Sequence, residues 1–500
     1  MEFASTRDKS VSVSSAMAIK TGLAPDGGLF VPKEIPHISE EEIVALTQMT
    51  YAERAVKILE KFLTDFTVEE LSDCTQKAYN KEKFETDEIA PLYKLSQDVY
   101  FLELWHGPTC AFKDMALQIL PHLLRKSVTK TGETKEIVIL VATSGDTGKA
   151  ALEGFKDVEG TRIIVFYPEN GVSNMQKRQM ITQEGNNVDV AAVDGNFDDA
   201  QSGVKKIFGD KEYADILERN NFMLSSANSI NWGRLVPQIV YYFSAYCNLL
   251  KNEEIQMGDP VNFVVPTGNF GNILAAYYAM EMGLPIGKLI CASNENNVLT
   301  DFIRTGVYDK NRAFKTTTSP SMDILISSNL ERFLYQATAC DDARVATWMR
   351  ELAETGRYEV PDVTKTRIRE VFYGGFCDDA DTLAEIARVN NEYGYVMDTH
   401  TAVAKCVYEQ YKKETGDETK TVIVSTASPF KFSDSVLTAI AGEGAAEGLD
   451  DFVLLETLAE KAQLLIPTSL ADLNTKPVIF TTTCDKTEMY DVVSHMLNLS

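Results

Sequence analysis

Between about Glu40 and Lys83, apolar positions recur at spacings of three and four. The stretch "SEEEIVALTQMTYAERAVKILEKFL" opens on a serine followed by an acidic first turn, so the pattern predicts capped helices and an all-helical N-terminal layer. Past residue 95 the rhythm changes. Short apolar, β-branched runs alternate with helix-like stretches: "DVYFLELW", "EIVILVATSG", "TRIIVFYPEN", "NVDVAAVDG", "PVNFVVPTGNFG", "KLICASN" and, far downstream, "KTVIVSTASP". Runs that are apolar on both faces predict a parallel sheet covered by helices on both sides, here read as a single sheet. Each run ends in Gly, Ser, Thr, Pro or Asn, which places small polar clusters at the carboxyl ends of strands, where such sheets bind ligands. The segment from Thr300 to Met397 breaks the rhythm and reads as an inserted or smaller helical region without an obvious strand series. The expected organisation is a helical N-terminal domain over 1–95, interleaved large and small α/β domains over 96–300, the insert over 301–397, and a return to the large domain over 398–500.

Composition narrows the function. Five hundred residues with 44% hydrophobic content support a large core divided into two or three domains. No run approaches a membrane helix and the first residues lack an apolar signal core, so the expectation is a soluble cytoplasmic protein with no membrane partner. Eight scattered cysteines without a CxxC pair, together with five histidines, leave a disulfide framework or a metal site without support from spacing. A formal charge of −25 argues against a nucleic-acid surface and makes a demand of any anionic substrate: its receiving groups must be concentrated locally against an adverse field.

Four polar clusters carry candidate chemistry. In "HGPTCAFKDMALQIL" Lys113 stands before an apolar helical run. A buried ammonium loses affinity for its proton and becomes a nucleophile for an aldehyde, although a lone "FKD" is also what an exposed lysine in a first helical turn looks like. In "ATSGDTGKAALEGF" the turn Thr143, Ser144, Gly145, Asp146 and Thr147 opens a helix straight off a strand, offering amides and a positive dipole end to a carboxylate or phosphate. Thr143 occupies the place of a P-loop's first glycine, and Ala150 follows Lys149 where a magnesium-binding hydroxyl belongs, so an NTPase reading is disfavoured. "VPTGNFGNILAAYYAM" places Gly268, Asn269, Phe270, Gly271 and Asn272 at another helix start, a second anion cradle. "VIVSTASPFKFSDS" ends a strand on Ser425, Thr426 and Ser428, where a hydroxyl can face a ring nitrogen without carrying charge. "SSANSINWGRLVPQ" adds Asn228, Ser229, Asn231 and Arg234, and "MDTHTAVA" adds His400, which reads equally as a helix-start residue without a catalytic role.

Taken in order, "HGPTCAFKD", "ATSGDTG", "SANSIN", "PTGNFGN" and "STASPFKF" closely resemble the threonine synthase family in its longer form, and the opening "STRDKSVSVSSAMAIKTGLAPDGGLFVP" resembles that family's beginning. The resemblance implies a fold type II (tryptophan synthase β-like) enzyme using pyridoxal 5'-phosphate, acting as a lyase on O-phospho-L-homoserine and water to give L-threonine and phosphate, as a monomer or homodimer. It implies that Lys113 holds the cofactor as a Schiff base and shuttles protons. Gly268, Asn269, Phe270, Gly271 and Asn272 would surround the cofactor phosphate, and Thr426 would face the pyridine nitrogen. Thr143, Ser144, Gly145, Asp146 and Thr147 would receive the substrate carboxylate and the cofactor's phenolic edge. Asn228, Ser229, Asn231 and Arg234 would hold the leaving phosphate. Apart from the resemblance, the region from Thr300 to Met397 offers basic residues such as Arg304 or Lys315 that no motif identifies. One position departs: the family's usual Thr-Ala-His-Pro is Thr426, Ala427, Ser428 and Pro429 here. A serine or threonine dehydratase on the same scaffold, and a catalytically silent cofactor-binding relative, are the competing readings.

Overall fold

The computed structural model describes residues 1–143, 145–169 and 172–499. The apolar runs form two sheets. The larger has six strands in the order Phe372–Phe376, Ile286–Ser293, Val261–Pro266, Thr421–Ser425, Val99–Glu103 and Leu92–Lys94, parallel throughout except for the last, antiparallel edge. The smaller is fully parallel, in the order Thr482–Asp485, Val188–Asp194, Thr161–Pro168, Glu136–Ala142 and Phe222–Ser225.

Alternation along each central strand explains why the runs look uniformly apolar. In Val261–Pro266, Phe263 and Val265 join the large core shared with the N-terminal helices, whereas Val264 faces a second core with Ala402, Val403 and Ile423. In Glu136–Ala142, Ile137, Ile139 and Val141 face the shared core, while Val138 and Leu140 pack outward with Val193 and Ile207. Between the layers runs the helix Trp232–Lys251, buried along nearly its whole length.

Three sequence expectations change. The two glycine-rich turns stand on different sheets, because an apolar run reveals burial but not its neighbours. The N-terminal layer is not all helical: Glu2–Ser5, Val13–Ser14 and Phe30–Pro32 form a small antiparallel sheet ahead of the helices Glu40–Leu46, Tyr51–Phe62 and Val68–Ala78. All three helices carry the capping box that the sequence announces, Ser39 with Glu42, Thr50 with Glu53 and Thr67 with Glu70. The segment after Thr300 supplies an edge strand of the large sheet, "FYGGF" at Phe372–Phe376, whose paired glycines dilute its apolar signal. Among the described residues no helix is long and apolar enough to cross a membrane.

The first thirty residues are joined to the middle of the chain. Arg332, fully buried, donates to the carbonyls of Phe30 at 2.9 Å and Ile230 at 2.6 Å and to Asn329 Oδ1 at 2.5 Å. Arg7 pairs with Glu331 at 2.7 Å, and Thr6 also donates to that carboxylate.

Candidate active site

Lys113 is positioned by two loops from neighbouring strands of the large sheet. Leu104 N donates to Ser425 O at 3.0 Å, Phe112 N to Thr426 O at 2.8 Å and Ser428 N to Cys110 O at 3.0 Å, so the lysine loop is strapped to the "STAS" turn. Asp114, the last residue of "HGPTCAFKD", is fully buried and accepts from Thr109 N and Oγ1, both at 2.8 Å. A Cβ at Gly107 would stand 2.7 Å from that carboxylate, which explains the glycine. Burial raises the Asp114 carboxyl to about 7 despite the Thr109 hydrogen bonds.

The Lys113 side chain is 13% exposed, with Nζ 3.3 Å from Ser321 Oγ and 3.7 Å from Asp146 Oδ2. Burial lowers its pKa; Asp146 opposes the shift, while Lys431 and Arg234 add to it. Asp146, from the "SGDTG" turn, also pairs with Lys431 Nζ at 2.9 Å and accepts from Gln176 Nε2 at 3.2 Å. Burial alone would raise the carboxyl, but the two lysines hold it well below the carboxylate range. Lys431 is opposed in the same way: burial lowers its pKa and Asp146 more than restores it. Arg234, 4% exposed, donates to Ala227 O at 2.7 Å and leaves Nε buried without a hydrogen-bond partner among the described residues; burial lowers it to about 10.

The second cradle follows the strand Val261–Pro266. Phe270 adopts φ +63° and the helix Gly271–Glu281 begins without a side-chain cap, so its first amides point into the turn unclaimed by a capping residue. Asn272 accepts from Tyr241 at 2.5 Å and Tyr242 at 2.6 Å through Oδ1, leaving Nδ2 buried without a partner among the described residues. Gly268 lies so close to the Ser321 turn that a Cβ would meet Ser321 O at 2.8 Å. Asn269 O and Gly268 O accept from Asn329 N and Ser327 Oγ, which fixes the turn from outside. Uncapped amides, orphaned donors on Asn272 and Arg234, and a buried amine suit a phosphorylated aldehyde such as pyridoxal phosphate.

Other candidates sit differently. Thr143 accepts from Gly145 N at 3.0 Å and Gly148 N at 2.9 Å, so its hydroxyl builds the turn, and Gly145 at φ +142° has no room for a Cβ beside Gln176. Thr147 is half-buried in the following helix turn, and Ser144 lies outside the described residues. Asn231 caps the buried helix through Gly233 N at 2.8 Å and donates to Ile19 O and Ser226 O, while Ser229 is half-buried and Asn228 exposed. Thr426 is 5% exposed at its strand end. Ser428, in place of the family histidine, is fully buried and accepts from Phe430 N at 3.3 Å, capping the turn that carries Lys431.

The two cations expected from the segment after Thr300 are engaged elsewhere: Arg304 Nε donates to Gly374 O and Lys315 pairs with Glu295. It contributes Ser321, whose backbone N donates to His400 Nε2 at 3.1 Å; His400 Nδ1 lies 3.1 Å from Asp398 Oδ1, the partner that fixes the tautomer. Sequence reading overlooked Ser321 and Lys431 and left His400 open. The need for a local basic pocket was a usable signal for Lys431, since it lies within a quoted cluster.

Three family descriptions match the chain: threonine synthase N terminus over residues 2–79, pyridoxal-phosphate dependent enzyme over 85–361, and threonine synthase, C-terminal over 401–490. The chain is 43% identical to threonine synthase-like 1 of Macaca fascicularis over 434 residues, covering 85% of this chain but only 57% of that protein. It is 38% identical to threonine synthase of Pseudomonas aeruginosa over 452 residues, covering 89% and 92% respectively. The crystal structure of PLP-bound threonine synthase from Brucella melitensis superposes with a TM-score of 0.87 at 36% identity, covering 99% of both chains. With family matches over most of its length and relatives 36–38% identical along nearly the whole chain, the chain belongs to the threonine synthase family of pyridoxal-phosphate-dependent enzymes.

Proposed function

We propose that the chain is a lyase converting O-phospho-L-homoserine and water to L-threonine and inorganic phosphate. The observation that carries this reading is the gathering of Lys113 and Lys431 about Asp146, with the buried Arg234 near enough to disfavour the Lys113 ammonium, in a chain of net charge −25. Such a concentration of basic groups suits a doubly anionic substrate and leaving group better than a neutral side chain.

When bound, the cofactor supplies an aldehyde that condenses with amines and a conjugated ring that accepts electrons from the substrate's α-carbon. Lys113 provides the amine that holds it and, once displaced by substrate, takes the proton from Cα through Nζ. The conversion then requires loss of a second proton from Cβ as phosphate departs from Cγ, addition of a proton at Cγ and of the hydroxyl of water at Cβ, and return of a proton to Cα from Lys113 Nζ. Gly268, Asn269, Phe270, Gly271 and Asn272 hold the cofactor phosphate through backbone amides and the free Asn272 amide. Thr426 offers a neutral hydroxyl to the ring nitrogen, which leaves that nitrogen largely unprotonated. Gly145 and Thr147 offer the helix start to the substrate carboxylate, with Thr143 shaping the turn and the ionised Asp146 holding Lys113 and Lys431 beside it. Arg234 holds the leaving phosphate, with Ser229 and Asn228 at its rim and Asn231 fixing its helix.

Incubation of the purified holoprotein with O-phosphohomoserine is expected to release phosphate and threonine in equal amounts. Release of ammonia and a keto acid from serine or threonine, with no phosphate from phosphohomoserine, would replace this reading with the dehydratase. No product from either substrate would leave the silent relative. For the cradle, Gly268→Ala forces a methyl group against Ser321 O, and overpacking of about 1–3 kcal/mol corresponds to roughly tenfold weaker cofactor binding. Titrating pyridoxal phosphate into the apo variant checks it; an unchanged Kd removes the loop from the cofactor site.

A further inference from the structure

We propose that Cys377, Asp381 and Cys406 form a zinc site at the outer edge of the large sheet. Their Sγ and carboxylate oxygen atoms all lie within 4.8 Å of one another. A tetrahedral zinc with thiolates at about 2.3 Å needs sulfur atoms about 3.8 Å apart, so closure requires shifts of no more than about 1 Å. Two sulfurs and one carboxylate leave a fourth position for water, and this donor set suits zinc better than Cu(I), which prefers sulfur alone.

The three donors come from elements already docked together. Cys377, 2% exposed, follows the strand Phe372–Phe376, and its backbone N continues the ladder to Ser293 O at 3.1 Å. Asp381 lies in the first turn of the helix Asp379–Tyr393, where it is exposed and reaches solvent. Cys406 projects from the helix Thr399–Thr415, whose Gln410 donates to Phe376 O at 2.9 Å and so already ties helix to strand end. Thr382 Oγ1 donates to Cys377 Sγ at 3.4 Å, the kind of outer contact that orients a ligating sulfur. Asp378 and Asp379 add negative charge beside the site and favour a cation there. The donors are separated by three and twenty-four intervening residues, a spacing outside the usual paired-cysteine signatures, which is why the sequence alone points to no metal.

The position has a structural consequence. Asp379 accepts from Thr318 N at 3.1 Å and Thr318 Oγ1 at 2.9 Å, just ahead of Ser321, and the helix bearing Cys406 carries in its first turn His400, which receives the Ser321 amide. Zinc would therefore clamp the supports on which Ser321 rests, while leaving Lys113 untouched.

The test uses reduced holoprotein dialysed against zinc, with bound metal measured by atomic emission and Cys406 probed by alkylation and peptide mapping. Wild type is expected to hold one zinc per chain with a submicromolar Kd. Zinc should shield Cys406 from alkylation and raise the thermal midpoint by a few degrees. Cys406→Ser should bind at least about 100-fold more weakly and Asp381→Asn about tenfold more weakly, each folding normally because its side chain is partly or wholly exposed. Equal zinc binding by wild type and Cys406→Ser overturns the site. So does a Cys377–Cys406 disulfide in the untreated protein combined with no zinc uptake after reduction.

Discussion

Lys113→Ala is expected to lower turnover by at least about a thousandfold and to abolish the visible absorbance of lysine-bound cofactor, because one amine serves both as anchor and as proton carrier. The fold should survive. Burial disfavours the Lys113 ammonium, and Asp146 keeps Lys431 as its partner when Lys113 is gone. A group whose folded pKa lies below its unfolded value costs stability in full at any pH below the folded pKa, and that cost fades as pH rises from there towards 10.5. The isosteric neutral variant Lys113→Met should therefore unfold at the same temperature as the wild-type apoprotein or slightly higher. The depressed pKa also predicts that cofactor capture accelerates as pH rises, with its midpoint below 10.5. Steady-state assays, absorbance spectra and thermal melts separate these effects. Ordinary turnover by Lys113→Ala with added cofactor would dismiss the assignment.

Asp146→Asn should be the most damaging neutral substitution to stability in the site. It leaves Lys431 and Lys113 buried side by side without their shared carboxylate. Breaking one side of a buried pair costs about 3–5 kcal/mol, since the surviving charge stays desolvated. Both lysines should then titrate lower, because Asp146 raises each of them. Urea unfolding of the apoprotein reads the loss, and capture of cofactor against pH reads the shift. Adding Lys431→Met should recover most of the stability and none of the turnover. If the single variant melts like wild type, Asp146 is not the counter-ion that the 2.9 Å contact implies.

These tests rest on a site of which part was legible in the letters. Lys113, the two glycine turns and Thr426 are all local features: each follows a buried strand, and strand-end turns of small residues can be read in a short window. Lys431 and Ser321 escaped because their roles depend on partners far away in sequence. Lys431 meets Asp146 across 285 positions and Ser321 meets Lys113 across 208. His400 was visible, but nothing near it shows that its ring receives the Ser321 amide. The stretch after Thr143 reads as a turn opening a helix and a helix does start at Asp146, yet Thr143 Oγ1 is occupied by its own backbone amides, a geometric fact that composition does not encode. The sheets divided in two for the same reason: alternation tells which residues are inside, and pairing partners are chosen by the rest of the chain.

The buried guanidinium of Arg332 ties the opening strands to the segments that flank the candidate site. It grips Phe30 with one hand and Ile230 and Asn329 with the others, while Asn231, at the head of the helix bearing Arg234, holds Ile19. Clipping away the first thirty-odd residues would therefore be no cosmetic trim. It would leave Arg332 Nε and one amide proton of Asn231 stranded in oil beside the helix that carries Arg234, and the amputated protein should forfeit its colour well before it forfeits its solubility.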